Sequence, residues 1–301
     1  MRIGKACILL STMAAVPILL QPTLFDSNPA ATTPDRLGVA DVEAIASRQI
    51  LTKANGSLTG YDYSLNPYVG CGFGCSYCFA ANFMPDPDLQ DRWGAWVRFK
   101  SNAVDLLRKK KDLFGKRIFM SSATDPYQPL EAKVELTRRL VEVMTEQNRQ
   151  PRLVVQTRGP LVVRDIDLFR RFTHLRVNMS LTTDSDSIRR QFEPGCASVE
   201  RRLQAVTELE AAGIVTTVCV VPMLPLDDPE RFAHRLRKTG SKNFVASPFR
   251  ITDKPFSAST RSLGLDIARK LGWTEDACRA AIRDLQRYLP ELNKGVGYDP
   301  A

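Results

Sequence analysis

Cys71, Cys75 and Cys78 fall within eight residues in the stretch NPYVGCGFGCSYCFA, Asn66 to Ala80, with glycines at 70, 72 and 74. Thiolates are soft ligands for iron–sulfur clusters and for zinc. Three of them on one short loop can grip three corners of a cubane. No fourth cysteine lies nearby, so a fourth corner would stay open to another ligand. The glycines suit a backbone that folds tightly around a bulky inorganic body. The competing reading is a zinc knuckle of three cysteines and one histidine. His174 and His234 are the only histidines, both nearly a hundred residues or more away and in no ligand-like spacing.

The elements that must position this loop read as a strand–helix alternation. Strands are expected at Tyr61–Tyr68, which delivers the cysteine loop, then at Ile118–Ser121, Arg152–Thr157, Leu175–Leu181, Ile214–Val221 and Asn243–Ser247. The intervening helices are Asn102–Lys111, Leu130–Thr145, Asp165–Phe172, Ser198–Ala212 (stopped by Gly213) and Pro229–Thr239. Strands separated by helices of this length pair in parallel. The fold class expected is α/β, a partial (β/α)6 barrel of parallel strands. Helices at about 258–271 and 274–288 form a C-terminal cap. Before the barrel, Asp41–Arg48 reads as a short helix, and the segment holding Trp93, Trp96 and Val97 as helix-rich and packed under the loop. The division expected is an extension over 1–35, a lead-in over 36–59, the barrel over 60–250 and a helical extension over 251–301.

In parallel α/β barrels the working residues gather at the carboxyl ends of the strands. Ser121, Ser122, Thr124 and Asp125 follow the second strand, Thr157 and Arg158 the third, and Ser180, Thr182, Thr183 and Asp184 the fourth. Each alone is ordinary turn chemistry. Their recurrence at successive strand ends points to a ligand.

With an aromatic, Tyr77, before the last cysteine, the loop resembles that of the radical S-adenosylmethionine (SAM) enzymes. That resemblance implies a [4Fe–4S] cluster on Cys71, Cys75 and Cys78, with SAM chelated at the open iron. Its reductive cleavage would give a 5′-deoxyadenosyl radical that abstracts hydrogen from a substrate. TDPYQPLE (Thr124 to Glu131), TRGPLVVRD (Thr157 to Asp165) and the run SLTT…FEPG…AGI (Ser180 to Ile214) are similar to the spore photoproduct lyase-like branch. By that resemblance Arg158 and Ser180 contact SAM, Asp125 lies near its amino group and Tyr77 packs by its adenine; Ser122, Thr124 and Thr182 join the expected SAM-binding set from their places at the strand ends. Tyr77 and Glu193 are the candidate catalytic residues. Glu193 either orients a site group or pairs with Arg201 or Arg202. Implied partners are an electron donor such as flavodoxin or ferredoxin and a nucleic acid substrate. Spore photoproduct lyases place a hydrogen-donating cysteine just after the second strand. Ser122 stands there in this chain, and Phe79 lacks the phenol that some lyases carry, so thymine-dimer repair is not supported. Cys196 is read as a small buried residue rather than a substitute donor. A zinc-stabilised nucleic-acid-binding module and a non-catalytic iron–sulfur protein stand as alternatives.

The totals are compatible with this. The 301 residues are 44% hydrophobic and 25% charged, as in globular proteins, and the net charge of +9 favours acidic partners without requiring them. Seven cysteines in so long a chain do not make a disulfide framework, and a reducing, cytoplasmic compartment suits free cluster thiolates. Arg2 and Lys5 precede an apolar run, Ala6 to Leu20, that looks like an export signal. It is short for a membrane span and interrupted by Pro17, so no stable membrane association is expected. A poorly ordered extension or a mis-assigned start is the expectation for this segment.

Overall fold

Runs of β-branched and apolar residues, separated by helices with one apolar face, assemble a largely parallel sheet. The computed structural model describes residues 35–146, 148–251 and 259–300. Its strands are β1 (Arg36–Leu37), β2 (Ala40–Ile45), β3 (Leu51–Lys53), β4 (Tyr63–Leu65), β5 (Tyr68–Val69), β6 (Trp96–Lys100), β7 (Arg117–Met120), β8 (Arg152–Thr157), β9 (Leu175–Ser180), β10 (Thr216–Met223), β11 (Phe244–Pro248) and β12 (Leu292–Lys294). Its α-helices are α1 (Pro87–Asp91), α2 (Ala103–Lys109), α3 (Glu131–Val134), α4 (Leu136–Thr145), α5 (Ile166–Phe169), α6 (Asp186–Phe192), α7 (Val199–Ala211), α8 (Pro229–Lys238), α9 (Ser262–Lys270) and α10 (Glu275–Tyr288).

The eight-stranded sheet has the order β12-β11-β10-β9-β8-β7-β4-β3. Every neighbouring pair is parallel except β3 against β4. Each face has its own packing, because side chains alternate along a strand. Ile118, Met120, Leu153, Val155, Val177, Met179, Val218 and Val220 join the main core with the helices. Phe119 and Val154 point the other way and cluster with Leu58, Tyr61 and Tyr298. One cavity is lined both by Thr52 and Lys53 on β3 and by Val296 just past β12. Residues next to both edges of the sheet therefore meet at one space, so the sheet is curled into a partial barrel.

The helices expected near 102–111, 198–212, 229–239 and 274–288 form as α2, α7, α8 and α10, and side-chain caps explain three of these starts. Ser198, Asp228 and Thr274 accept from the backbone N–H groups of Arg201, Arg231 and Ala277, and Pro229 occupies the first turn of α8. The single helix expected over 130–145 is broken between α3 and α4 by Glu135, at φ 47°.

Three expectations are corrected. Asp41–Arg48 is not a helix: Ala40–Ile45 is a strand, paired parallel to β6 and bordered by β1. The tryptophan segment is not helix-rich throughout, because Trp96–Lys100 alternates side chains as a strand and forms the centre of the four-stranded sheet β1-β2-β6-β5. The region after Pro248 is not purely helical, since β12 adds a seventh parallel strand against β11. From β12 the chain runs across the barrel. Asn178 donates to the Gly297 carbonyl at 2.6 Å, Tyr298 meets the Phe119 ring at 5.1 Å, and Tyr61 donates to the Asp299 carbonyl at 2.8 Å. The apolar run Ala6 to Leu20 lies outside the described residues. Among those described, no helix is long and apolar enough to cross a membrane.

Candidate active site

The small sheet aims the cysteine loop. β5 leads straight into Gly70, whose φ of +77° is left-handed, and a Cβ there would lie 2.6 Å from the Trp96 ring. Only glycine satisfies both demands. Three segments then clamp the loop. Thr124 donates to the Gly70 carbonyl at 2.7 Å, and Gln128 Oε1 accepts from the Gly72 N–H at 2.8 Å. The Ser76 N–H donates to Phe192 O, and the Gly195 N–H to Phe73 O. A Cβ on Gly195 would fall 2.7 Å from the Gly72 carbonyl, so the FEPG turn rests directly on the loop. Finally α9 docks through the Gly264 N–H on the Ser76 carbonyl.

Cys71, Cys75 and Cys78 all line one cavity of about 660 Å³. Its other walls are strand ends: Ser64, Ser121, Ser122, Thr124, Asp125, Gln156, Thr157, Arg158, Ser180 and Ser247. Burial pushes the Cys71 thiol up, and pushes Cys78 up to about 11. Cys75 moves the other way: contact with Cys196 lowers it against the cost of burial, and the Arg158 guanidinium helps.

Behind Cys75 lies a buried charge cluster. Arg158 Nη1 donates to Cys75 Sγ at 3.4 Å, to Tyr77 Oη at 2.6 Å and to Glu193 Oε1 at 2.8 Å. Tyr77 Oη and Thr182 Oγ1 also donate to that Glu193 oxygen. Arg202 Nη2 stands 2.9 Å from Glu193 Oε2. Burial opposes the Glu193 charge, but Arg202 and Arg158 outweigh it and hold the carboxyl down to about 2. Glu193 thus pairs with Arg202 and not Arg201, which reaches Glu208 instead.

The expected SAM-holding residues divide. Ser122, Thr124, Asp125, Arg158 and Ser180 line the cavity together with Tyr77. Thr182 does not. β9 ends at Ser180, the strand alternation stops there, and the Thr182 hydroxyl turns to Glu193. Glu193 too is behind the wall, with Tyr77 and Arg158 in front of it. Several hydroxyls are already engaged: Ser122 Oγ accepts from Asn66 and Ser180 Oγ from Gln156. Asp125 is pushed up by burial but accepts from Thr157 Oγ1 at 2.6 Å and from the N–H groups of Arg158 and Tyr127. Cys196 is not among the cavity-lining residues.

Sequence reading missed Gln156, Lys53, Phe83, Arg250 and Tyr298 on the cavity; Arg202 behind it was named only as one of two possible partners for Glu193. Gln156 was findable, two residues from inward-facing Val154 on one strand. The others depend on tertiary approach.

The donor set fits a cluster better than a single zinc. Tetrahedral zinc on these cysteines would need a fourth ligand, usually a histidine. His174 and His234 are exposed and away from the cavity. Three thiols along one wall, with a cationic guanidinium on one sulfur, suit a larger anionic body.

Comparison with known proteins agrees. Residues 65–237 match the model of the Radical SAM superfamily. An uncharacterised protein of Methanocaldococcus jannaschii is 34% identical over 168 residues, 56% of this chain and 62% of that protein. A protein of Pseudomonas phage M6 named radical SAM Nalpha-GlyT isomerase is 24% identical over 184 residues, 60% of this chain and 38% of its own length. This chain therefore spans less than two thirds of either relative. Among solved structures, a spore photoproduct lyase variant with bound AdoMet and dinucleoside spore photoproduct superposes with a TM-score of 0.59 at 16% identity, covering 84% of this chain and 81% of that one. The fold is thus shared with that lyase, and the family match spans more than half of this sequence: the chain belongs to the radical SAM superfamily.

Proposed function

We propose that this chain holds a [4Fe–4S] cluster on Cys71, Cys75 and Cys78 and uses SAM to abstract hydrogen from a base-bearing substrate. The observation that carries the reading is the single cavity bounded by three thiols on one side and polar strand ends on the other. When bound, the cluster supplies the one electron that splits SAM into methionine and a 5′-deoxyadenosyl radical.

The chain's own residues do the rest. Asp125, fixed by three hydrogen bonds and with lone-pair capacity left, is positioned for the SAM ammonium. Arg158 is the cation within reach of its carboxylate. Ser122, Thr124 and Ser180 offer hydroxyls to the ribose, and Tyr77 an apolar face to the adenine. Thr182 and Glu193 act one layer back, by orienting Tyr77 and Arg158.

The substrate proposed is nucleic acid, presented as a single strand or with its target base turned out of a duplex. The cavity carries Phe83, 47% exposed and edge-on to Phe79, for stacking. Exposed Lys53 and Arg250 line it too and could meet phosphates. The lyase structure that shares this fold is named with a bound dinucleoside spore photoproduct, which supports a base-bearing substrate. Thymine-dimer repair is not proposed, because the Ser122 hydroxyl is bound to Asn66 and is a far poorer hydrogen-atom donor than a thiol. A low-potential flavodoxin or ferredoxin would supply the electron, in a reducing compartment such as the cytoplasm.

The test is anaerobic reconstitution followed by SAM and dithionite. Formation of 5′-deoxyadenosine, lost in Cys75→Ala, supports the reading; a reconstituted protein that leaves SAM intact overturns it. Phe83→Ala and a Lys53→Ala/Arg250→Ala pair are expected to weaken binding of a short single-stranded oligonucleotide about tenfold each. Unchanged affinity removes the substrate assignment.

A further inference from the structure

Arg202 is a costly residue to bury. Its side chain has no exposed surface, nor has that of its partner Glu193. Arg202 Nη1 donates to the Ser180 carbonyl at 3.1 Å, while Nε finds no hydrogen-bond acceptor. Desolvating an ion costs several kcal/mol, and well-packed apolar residues often replace a buried ion pair without loss. Stability is therefore a poor account of why an arginine occupies this place on α7.

The geometry offers a better one. The chain of contacts runs Arg202, Glu193, Arg158, Cys75, each step within 3.4 Å. It ends on a sulfur that, on the reading above, carries cluster iron. Three features set an iron–sulfur potential: net charge nearby, hydrogen bonds to the sulfurs, and exclusion of water. All three meet here. Arg158 gives the sulfur its N–H···S contact, and Glu193 fixes Arg158. Arg202 offsets the Glu193 charge from behind, where no solvent screens it. Asp125, the buried carboxylate that does line the cavity, is tied to the backbone of Arg158 rather than to its guanidinium. Arg189, which flanks the turn, is neutralised by Asp186 at 2.6 Å.

We propose that Arg202, through Glu193 and Arg158, sets how readily a cluster at Cys75 accepts its electron. Arg202 is a positioning and field-setting residue that touches neither SAM nor substrate. The inference rests on the cluster assignment made above. The redox step is one electron moving from dithionite to the cluster core, with no bond made or broken in the protein.

Opposite changes of charge test it. The measurement is the reduced-to-oxidised cluster ratio at a fixed ambient potential, read by electron paramagnetic resonance without SAM. Arg202→Met removes a positive charge and is expected to lower the ratio about tenfold, the size of one unit charge acting over several ångströms of protein. Glu193→Gln removes a negative charge and is expected to raise it by a similar factor. Arg202→Lys is expected to return it most of the way. A merely structural role would move both charge variants in the same direction or neither. Equal ratios, or shifts of one sign, in proteins with full iron content overturn the inference. Should Arg202→Met fail to fold, Arg158→Gln at the cavity wall carries the same sign prediction. A wild-type protein that takes up no iron–sulfur cluster rejects the cofactor assignment itself, a different and separately visible result.

Discussion

The sulfur atoms of Cys75 and Cys196 lie 3.9 Å apart, both buried, one on the cysteine loop and the other at the end of the FEPG turn. Sulfurs in contact cannot serve separate corners of one cubane, because thiolates on different irons are held further apart by the core between them. Cys196 is therefore a neighbour of the proposed ligand Cys75 rather than a fourth one. Cys196→Ala is expected to retain full iron content and the visible absorbance of a cluster after anaerobic reconstitution. Cys75→Ala is expected to lose both. Iron loss in Cys196→Ala would return that cysteine to the ligand set and close the corner assigned to SAM.

Asp125 has two duties that one substitution separates. Its carboxylate holds Thr157, the Arg158 N–H and the Tyr127 N–H, and hydrogen bonds to a charged group are worth about 1.5–3 kcal/mol. Asp125→Ala is expected to lower the melting temperature. Asp125→Asn keeps an acceptor and is expected to restore most of that stability while leaving SAM bound about tenfold more weakly, the loss of one charged contact. Calorimetric titration with SAM decides; an Asn variant with native affinity ends the assigned role.

Glu193 makes a prediction in pH. Its folded carboxyl is held at about 2, below the ordinary 4.5, so its ion pairs stabilise the fold fully above the unfolded value. That contribution disappears as pH falls from about 4.5 towards 2, and it is on the order of 3 kcal/mol. Urea unfolding of wild type and Glu193→Gln between pH 6 and 3 is expected to show their difference shrinking with acid. A constant difference means that the carboxylate is not charged in the native state.

Gly70 and Trp96 make a fourth test, of the scaffold. Alanine at position 70 would need a left-handed backbone and would press its Cβ into the indole, so Gly70→Ala is expected to cost about 2 to 4 kcal/mol. Iron uptake should fall with it. Circular dichroism melting curves measure the first effect and iron analysis the second.

These tests draw on features with different visibility in the sequence. Five of the six expected core strands were legible because their apolar runs are short and bounded by helices and turns, whereas the expected strand Tyr61–Tyr68 splits into β4 and β5, which join different sheets. Ala40–Ile45 was not, since Ala and Glu favour helix and only pairing with β1 and β6 makes it a strand. Leu292–Lys294 is three residues long and exists because β11 offers an edge. The cysteines and most strand-end residues of the site were legible through their spacing. Arg202 was legible only in part: it stood beside Arg201 as a possible partner of Glu193, but an arginine on an amphipathic helix reads as solvated, and only the packing of α7 against the sheet buries it. Lys53, Arg250 and Tyr298 are far apart in the chain and meet because the sheet curls.

The crossing segment from Gly297 to Asp299 touches residues of β7 and β9 as well as Tyr61, and Val296 and Tyr298 line the cavity. This wall lies more than two hundred residues after the cysteines in the chain. During synthesis the thiols emerge long before the segment that shuts the space around them, leaving the nascent loop open on that side. A ribosome paused before residue 292 would hold a chain whose three cysteines are already made while the space around them is still open on the side that Val296 and Tyr298 later line.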